Sequence, residues 1–198
     1  MKIIMISGKA GSGKDTVAGF LMDELITQGH EQRILVMHFA DLVKYYATQY
    51  FNWNGEKDEA GRNLLQEIGT TIMRSRYPTY WAEIIGKFID AITECNYFDY
   101  ILIPDWRFIN EYETVYDYAS ILNNEVITIR VDRYNNDGSS WVNPNMSTDQ
   151  LQHISECELD KNFAFDWYIE NRGTINDLQD SIKVITDNLE EYINDDII

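Results

Sequence analysis

The sequence predicts one α/β domain built on a parallel sheet of about five strands flanked by helices. Three observations carry this expectation. Short apolar runs alternate with stretches of helical periodicity along nearly the whole chain. The first of those runs ends in a glycine-rich turn that opens directly into a helix. Only one long polar segment interrupts the alternation.

Taken in order, "KIIMIS" (2–7) is a short apolar run stopped by glycine, as a buried parallel strand would be. Val17, Phe20, Leu21 and Leu25 recur at helical spacing and predict a helix from Lys14 to about residue 29. "RILVMHF" (33–39) reads as a second strand. Helical patterns follow at 41–51, 58–76 and 79–94, separated by "NWNGEKD" and by Pro78. "YILIPD" (100–105) is a third strand, 110–122 a helix, and "EVITIRV" (125–131) a fourth strand. Residues 132–149, rich in Asn, Gly and Ser, form the long loop, which suits a functional lid. "FDWYIE" (165–170) is a fifth strand. The chain closes on an amphipathic helix at 174–193, where Thr174 and Asp177 have the spacing of a capping pair.

Composition limits the ligands. The chain has 198 residues, of which 33 are acidic and 16 basic, for a net charge of -17. Such a surface excludes a general nucleic-acid binder and is repelled by anionic membranes. Any phosphate-bearing ligand must be held by a local cluster of cations. Cys95 and Cys157 lack metal-site or redox spacing and are expected to be reduced, partly buried thiols. The three histidines, His30, His38 and His153, also lack ligand spacing. No run reaches signal-peptide or membrane length, so a cytoplasmic location is expected.

The chemistry gathers at "GKAGSGKDT", Gly8–Thr16, which fits G-x-x-x-x-G-K-[ST] except that Asp15 stands where a hydroxyl is usual. Gly8, Gly11 and Gly13 allow a tight turn in which the N–H groups of Lys9, Ala10, Ser12 and their neighbours face one anion. The helix dipole adds to this, and Lys14 supplies a full charge to terminal phosphates. Either Asp15 or Thr16 could serve a magnesium ion. Asp105 ends the third strand, the edge at which open α/β sheets bind ligands. It could hold magnesium through water or orient an arginine, while Arg107 could fork onto a phosphate and Glu111 begins the next helix. Arg130 and Arg133 flank the polar loop, where an arginine arriving on closure would stabilise transferring charge. In the 58–94 region, Thr70, Arg74 and Trp81 are polar or aromatic among core leucines and isoleucines. Trp81 suits either base stacking or the core.

In series, "SGKAGSGKDT", "FADLVK", "KDEAGRNLLQEIGT", Tyr80-Trp81, "YILIPDWRFINE", "HISECELD" and "IENRGTINDL" resemble the bacteriophage-type deoxynucleoside monophosphate kinases over nearly the whole chain. The GKDT form of the loop is usual in that family. The resemblance implies a P-loop kinase fold. Its core would be 1–40, 96–131 and 160–198, its helical insertion for the nucleoside monophosphate 41–95, and its lid 132–159. It implies transfer of the ATP γ-phosphoryl, with Mg2+, to a deoxynucleoside monophosphate, in the cytoplasm of a host if phage-encoded, with homodimerisation as one option. On that resemblance Gly8–Thr16 and Arg130 would hold ATP, with Asp15 or Thr16 at the metal. Lys14, Asp15, Arg107 and Arg133 would serve transfer. Thr70, Arg74, Trp81, Asp105, Arg107, Phe108 and Glu111 would hold the acceptor. Trp106, large where the family is often small, and Phe108-Ile109 depart from the pattern near the expected acceptor site, which leaves the preferred base open.

Overall fold

The computed structural model describes residues 1–27 and 32–194, with side chains undescribed at 161–162 and 190–194. Five strands, β1 (Lys2–Ser7), β2 (Ile34–Val36), β3 (Tyr100–Trp106), β4 (Glu125–Arg133) and β5 (Trp167–Asn171), form one sheet in the order β2-β3-β1-β4-β5. Every pairing is parallel. β1 is the central strand, hydrogen-bonded to β3 and β4, and it is apolar on both faces because helices cover both. Ile4 and Ile6 pack with Val17, Leu21 and Leu25 of α1 (Lys14–Thr27) and with Ile182 and Ile185 of α9 (Ile175–Asn194). Ile3 and Met5 point the other way, against Ile85 and Ile89 of α4 (Tyr80–Glu94) and Val115 of α5 (Ile109–Ile121). The strand period of two thus separates two cores.

Between β2 and β3 lies a helical insertion: α2 (Ala40–Tyr50), α3 (Glu59–Gln66), a π-helical segment (Glu67–Ile72) and α4. Val43, Ala47, Ile68 and Trp81 give it a small core of its own. Asp58 caps α3, its Oδ1 accepting from Gly61 N at 2.7 Å. The helix expected over 58–76 is therefore not continuous. It changes to wider π turns at Glu67, and within them the Gly69 carbonyl accepts the Trp81 indole N–H at 2.9 Å.

Four of the five strands depart from the expected boundaries, β3 only by running on to Trp106. β4 runs on to Arg133 because β5 pairs Asp132 with Glu170 and Arg133 with Asn171, a long-range partnership that the polar sequence conceals. β5 starts only at Trp167, because Asp166 turns its carboxylate to Thr128 N (2.8 Å) and Thr128 Oγ1 (2.6 Å). β2, at the sheet edge, keeps three residues. The segment after β4 is not bare loop: it carries an isolated bridge between Tyr134 and Ser140, then α6 (Thr148–Leu151), α7 (Ile154–Cys157) and α8 (Leu159–Asn162). Thr174 and Asp177 do cap the last helix, exchanging bonds of 2.6 Å and 3.3 Å. Cys95 and Cys157 are free, but Cys95 is exposed rather than partly buried, since α4 ends just before it. His30 lies outside the described residues. Among the described residues, no helix is long and apolar enough to cross a membrane.

α4 and α5 approach closely at Gly86, where an added Cβ would lie 2.2 Å from the Tyr118 ring. Gly86→Ala is expected to destabilise the fold by about 1–3 kcal/mol through overpacking. Urea unfolding checks this, and a midpoint equal to the parent's would contradict the packing described.

Candidate functional site

The carboxyl end of β1 delivers the glycine loop, and the loop is shaped by contacts that exclude side chains. Gly8 has φ +151°, and a Cβ there would sit 2.3 Å from the Val131 carbonyl oxygen of β4. Gly11, at φ +83°, lies under the Trp141 ring, which a Cβ would meet at 2.6 Å. Only glycine fits either position. Asn171 of β5 braces the far side, donating to Ser12 O at 2.9 Å. The loop ends in Lys14, whose buried ammonium bends back to donate to Gly8 O (2.7 Å) and Lys9 O (2.9 Å). Burial first, and the Arg107 charge second, lower the Lys14 pKa to about 7.

The loop opens onto a cavity of about 570 Å³. One end is walled by Ala10, Gly11, Lys14 and Asp15, the other by Val43, Leu65, Gln66, Gly69, Thr70 and Trp81 of the insertion. Arg74, Asp105, Arg107, Phe108 and Glu111 stand between them. Six cationic side chains, Lys14, Lys44, Lys57, Arg62, Arg74 and Arg107, line this cavity in a chain with 16 basic residues and a net charge of -17. Positive charge is therefore concentrated where an anion could enter, against the sign of the whole protein.

The polar residues between the two ends hold one another. Glu111 is fully buried and accepts from Arg74 Nη2, from Arg107 N (2.8 Å) and from Phe108 N (3.1 Å). Burial pushes its pKa up to about 7, against the pull of Arg74 and the backbone N–H groups. Arg74 also stacks on Phe108, its guanidinium carbon 4.0 Å from the ring centroid. Asp105 spends both oxygens on the first turn of α2, accepting from Phe39 N and Ala40 N at 2.9 Å each. It positions the insertion against the sheet. Trp81 is 1% exposed with its N–H satisfied by Gly69, so the core role is the one it fills, on the wall of the cavity.

Several residues expected here stand elsewhere. Arg130 is buried under ion pairs with Asp132 (2.9 Å) and Asp160 (2.7 Å), and it does not line the cavity. Asp160 in turn holds Lys9 at 2.7 Å, so this network braces the glycine loop from behind. Arg133 belongs to β4 rather than to a loop. It donates to Gly11 O at 3.1 Å and stacks on Trp141 at 4.4 Å. Trp106 faces away from the cavity into an aromatic cluster with Tyr112, Phe163 and Phe165, donating to Phe108 O at 2.7 Å. Thr16 is exposed and off the cavity wall.

Two residues without an expected role prove central. Glu156 of α7 reaches both the loop and Arg107. Its Oε2 accepts from Ala10 N and its Oε1 from Arg107 Nη1, each at 2.8 Å. His38 lies with Nε2 3.9 Å from Asp15 Oδ1 and Nδ1 3.4 Å from Asp41 Oδ2. Asp15 is the main cause of a raised His38 pKa, and His38 in turn holds the Asp15 carboxyl below its usual range. Glu156 lies within "HISECELD", a stretch that carried the resemblance but no role for this residue, and His38 has no local signature beyond residue type, because both depend on contacts across the fold.

Among the described residues no group of three or more His, Cys, Asp and Glu could cage a metal ion. The donor set does fit a magnesium ion that arrives on a polyphosphate, since such an ion keeps most of its oxygen ligands from phosphate and water. Asp15, with its side chain 89% exposed on the cavity wall, can offer one more.

The His38–Asp15 pair has a definite pH signature. The pair stabilises over a window: on the alkaline side its contribution is lost as pH rises from the unfolded histidine pKa, about 6.5, through the raised His38 value, and on the acid side it is lost as pH falls through the lowered Asp15 value. Asp15→Asn should lower the His38 pKa, read by NMR titration of the ring protons. An unchanged value would remove Asp15 as the cause.

No protein-family model matches the chain, and no curated protein is similar to it in sequence at a significant level. Solved structures are similar in fold. APS kinase CysC of Mycobacterium tuberculosis superposes with a TM-score of 0.52 at 12% identity, over 96% of this chain and 96% of that one. The same enzyme in complex with AMPPNP and APS gives 0.52 at 10%, over 96% and 97%. The protein APE1195 gives 0.56 at 13%, over 96% and 95%. At these identities the likeness concerns architecture alone: the five-stranded parallel sheet flanked by helices is that of the P-loop kinase fold.

Proposed function

We propose that the chain is a phosphotransferase, and more narrowly a kinase that moves the γ-phosphoryl of ATP to the phosphate of a deoxynucleoside monophosphate. One observation carries the reading: a single cavity joins the glycine loop to a helical insertion, with Arg74 and Arg107 between them. A donor triphosphate on the loop and an acceptor in the insertion would meet at those arginines. The APS kinase structure with AMPPNP and APS supports an ATP-type donor for this fold.

In that arrangement the loop N–H groups and Lys14 hold the donor phosphates, and incoming negative charge favours the ammonium form of Lys14. Arg107 holds the acceptor phosphate, kept in place by its own backbone bond to Glu111. An acceptor phosphate oxygen forms a bond to the γ-phosphorus while the bond from that phosphorus to the β–γ bridging oxygen breaks. The acceptor is already anionic, so no general base is needed, and alignment and charge stabilisation supply the catalysis. Magnesium, carried by the ATP and touched by Asp15, would spread charge on the donor phosphates. Val43, Leu65 and Gly69 give the base a largely apolar slot, with Gln66 and Thr70 able to hydrogen-bond its edge. The segment 132–159 would act as lid and 41–95 as the acceptor-binding insertion.

A coupled ADP-release assay over the four deoxynucleoside monophosphates should give turnover with at least one. Lys14→Ala should then lower kcat by roughly 10²–10³, the scale for losing one transition-state charge partner. Arg107→Ala should chiefly raise the acceptor KM, by about tenfold or more, for the loss of a charged hydrogen bond. Turnover only with a ribonucleotide or another small phosphorylated acceptor would keep the phosphotransferase and change its substrate. No turnover with any acceptor would overturn both.

A further inference from the structure

Glu156 occupies the atoms on which the phosphoryl transfer would depend. Its carboxylate presents two oxygens to Ala10 N–H and to the Arg107 guanidinium, each at 2.8 Å. Those donors belong to the opposite sides of the proposed transfer point, one on the donor loop and one at the acceptor phosphate. A carboxylate bridging them has the sign and the paired oxygens of a phosphoryl group. The Glu156 side chain is 6% exposed, so the bridge excludes water as well.

The rest of the segment is fastened in the same sense. Gln150, 2% exposed, donates to Asn63 Oδ1 (2.6 Å) and Glu59 O (3.2 Å), tying α6 to the insertion. Glu158 accepts from Ile109 N at 2.8 Å, which ties the segment to the start of α5. Asp160 holds Lys9. With Glu156 in place, Lys14 donates to its own loop carbonyls rather than into the cavity. The two charges that a polyphosphate would need, Lys14 and Arg107, are thus both already engaged.

We infer that Glu156 is an internal competitor for the polyphosphate subsite, so that the docked lid is a self-inhibited state which an incoming phosphate chain must displace. The inference rests on the phosphate-loop reading above but not on the identity of the acceptor. With the lid docked, Glu156 pairs with Arg107 and takes the Ala10 N–H. A phosphate entering at Ala10 N–H expels the carboxylate by direct competition and by like-charge repulsion, and this releases Arg107 for the acceptor.

Calorimetric titration with inorganic tripolyphosphate tests this, because that probe carries neither base nor sugar. Glu156→Gln keeps a neutral acceptor of the same shape while removing the competing charge. It should bind tripolyphosphate about tenfold more tightly than the parent, the scale separating charged from neutral hydrogen bonds. Glu156→Ala, compared in the same way with melting curves to verify folding, should also bind more tightly and serves if the glutamine variant does not fold. Equal or weaker binding in the folded variants, or no binding by any of the chains, would overturn the inference. Failure of the acceptor assay alone would leave it standing.

Discussion

The close approach of Gly8 to the Val131 carbonyl is the constraint on which the site depends. Because Gly8 has no side chain, β1 can run to its last residue against β4 and then turn at once into the loop. The turn brings the loop to the space above the sheet, with Lys14 folded back onto Gly8 O and Lys9 O. β3, on the other side of β1, brings Asp105 and Arg107 to the same edge. Asp105 then secures α2 through two backbone bonds, so the insertion is positioned by the same strand that presents the arginine. Sheet order, rather than any local motif, is what places the glycine loop, Arg107 and the helices after β2 around one cavity.

Electrostatics gives the second organising idea. A protein of net charge -17 concentrates six cationic side chains in one cleft and then meets several of them with its own carboxylates. Glu111 fixes Arg74, and burial raises its pKa against the pull of that guanidinium. Glu156 meets Arg107, and Asp160 gathers Lys9 and Arg130. The first of these pairings organises the wall of the cleft and the last braces the loop from behind. The middle one bridges the glycine loop and Arg107, and the proposed self-inhibition rests on it.

Much of this was legible in the amino-acid order where the controlling interactions are local. The Thr174–Asp177 cap depends on neighbours within a few residues and appears where expected, as do the strand over 2–7 and the helix that opens at Lys14. Legibility failed where a distant partner decides. Arg130 looks available on a strand end, yet Asp132 and Asp160 bury it. Trp106 sits beside Asp105 in sequence, but the β1–β3 register shifts before it, and its ring joins the core of Ile101 and Ile103, among Phe163 and Phe165. Glu156 lies 146 residues from Ala10, and no spacing rule links the two. Within the π-helical segment that begins at Glu67, the Gly69 carbonyl likewise has a partner from outside it, the Trp81 indole N–H.

In the proposed reading one cleft holds two nucleotides, their phosphates meeting between the glycine loop and Arg107. A bisubstrate analogue, adenosine and a deoxynucleoside joined by five phosphates, tests it most directly by competition binding. The account predicts one analogue per chain, displaced both by ATP and, separately, by the deoxynucleoside monophosphate. Displacement by only one of the two, or binding of ATP and analogue together on one chain, would contradict it.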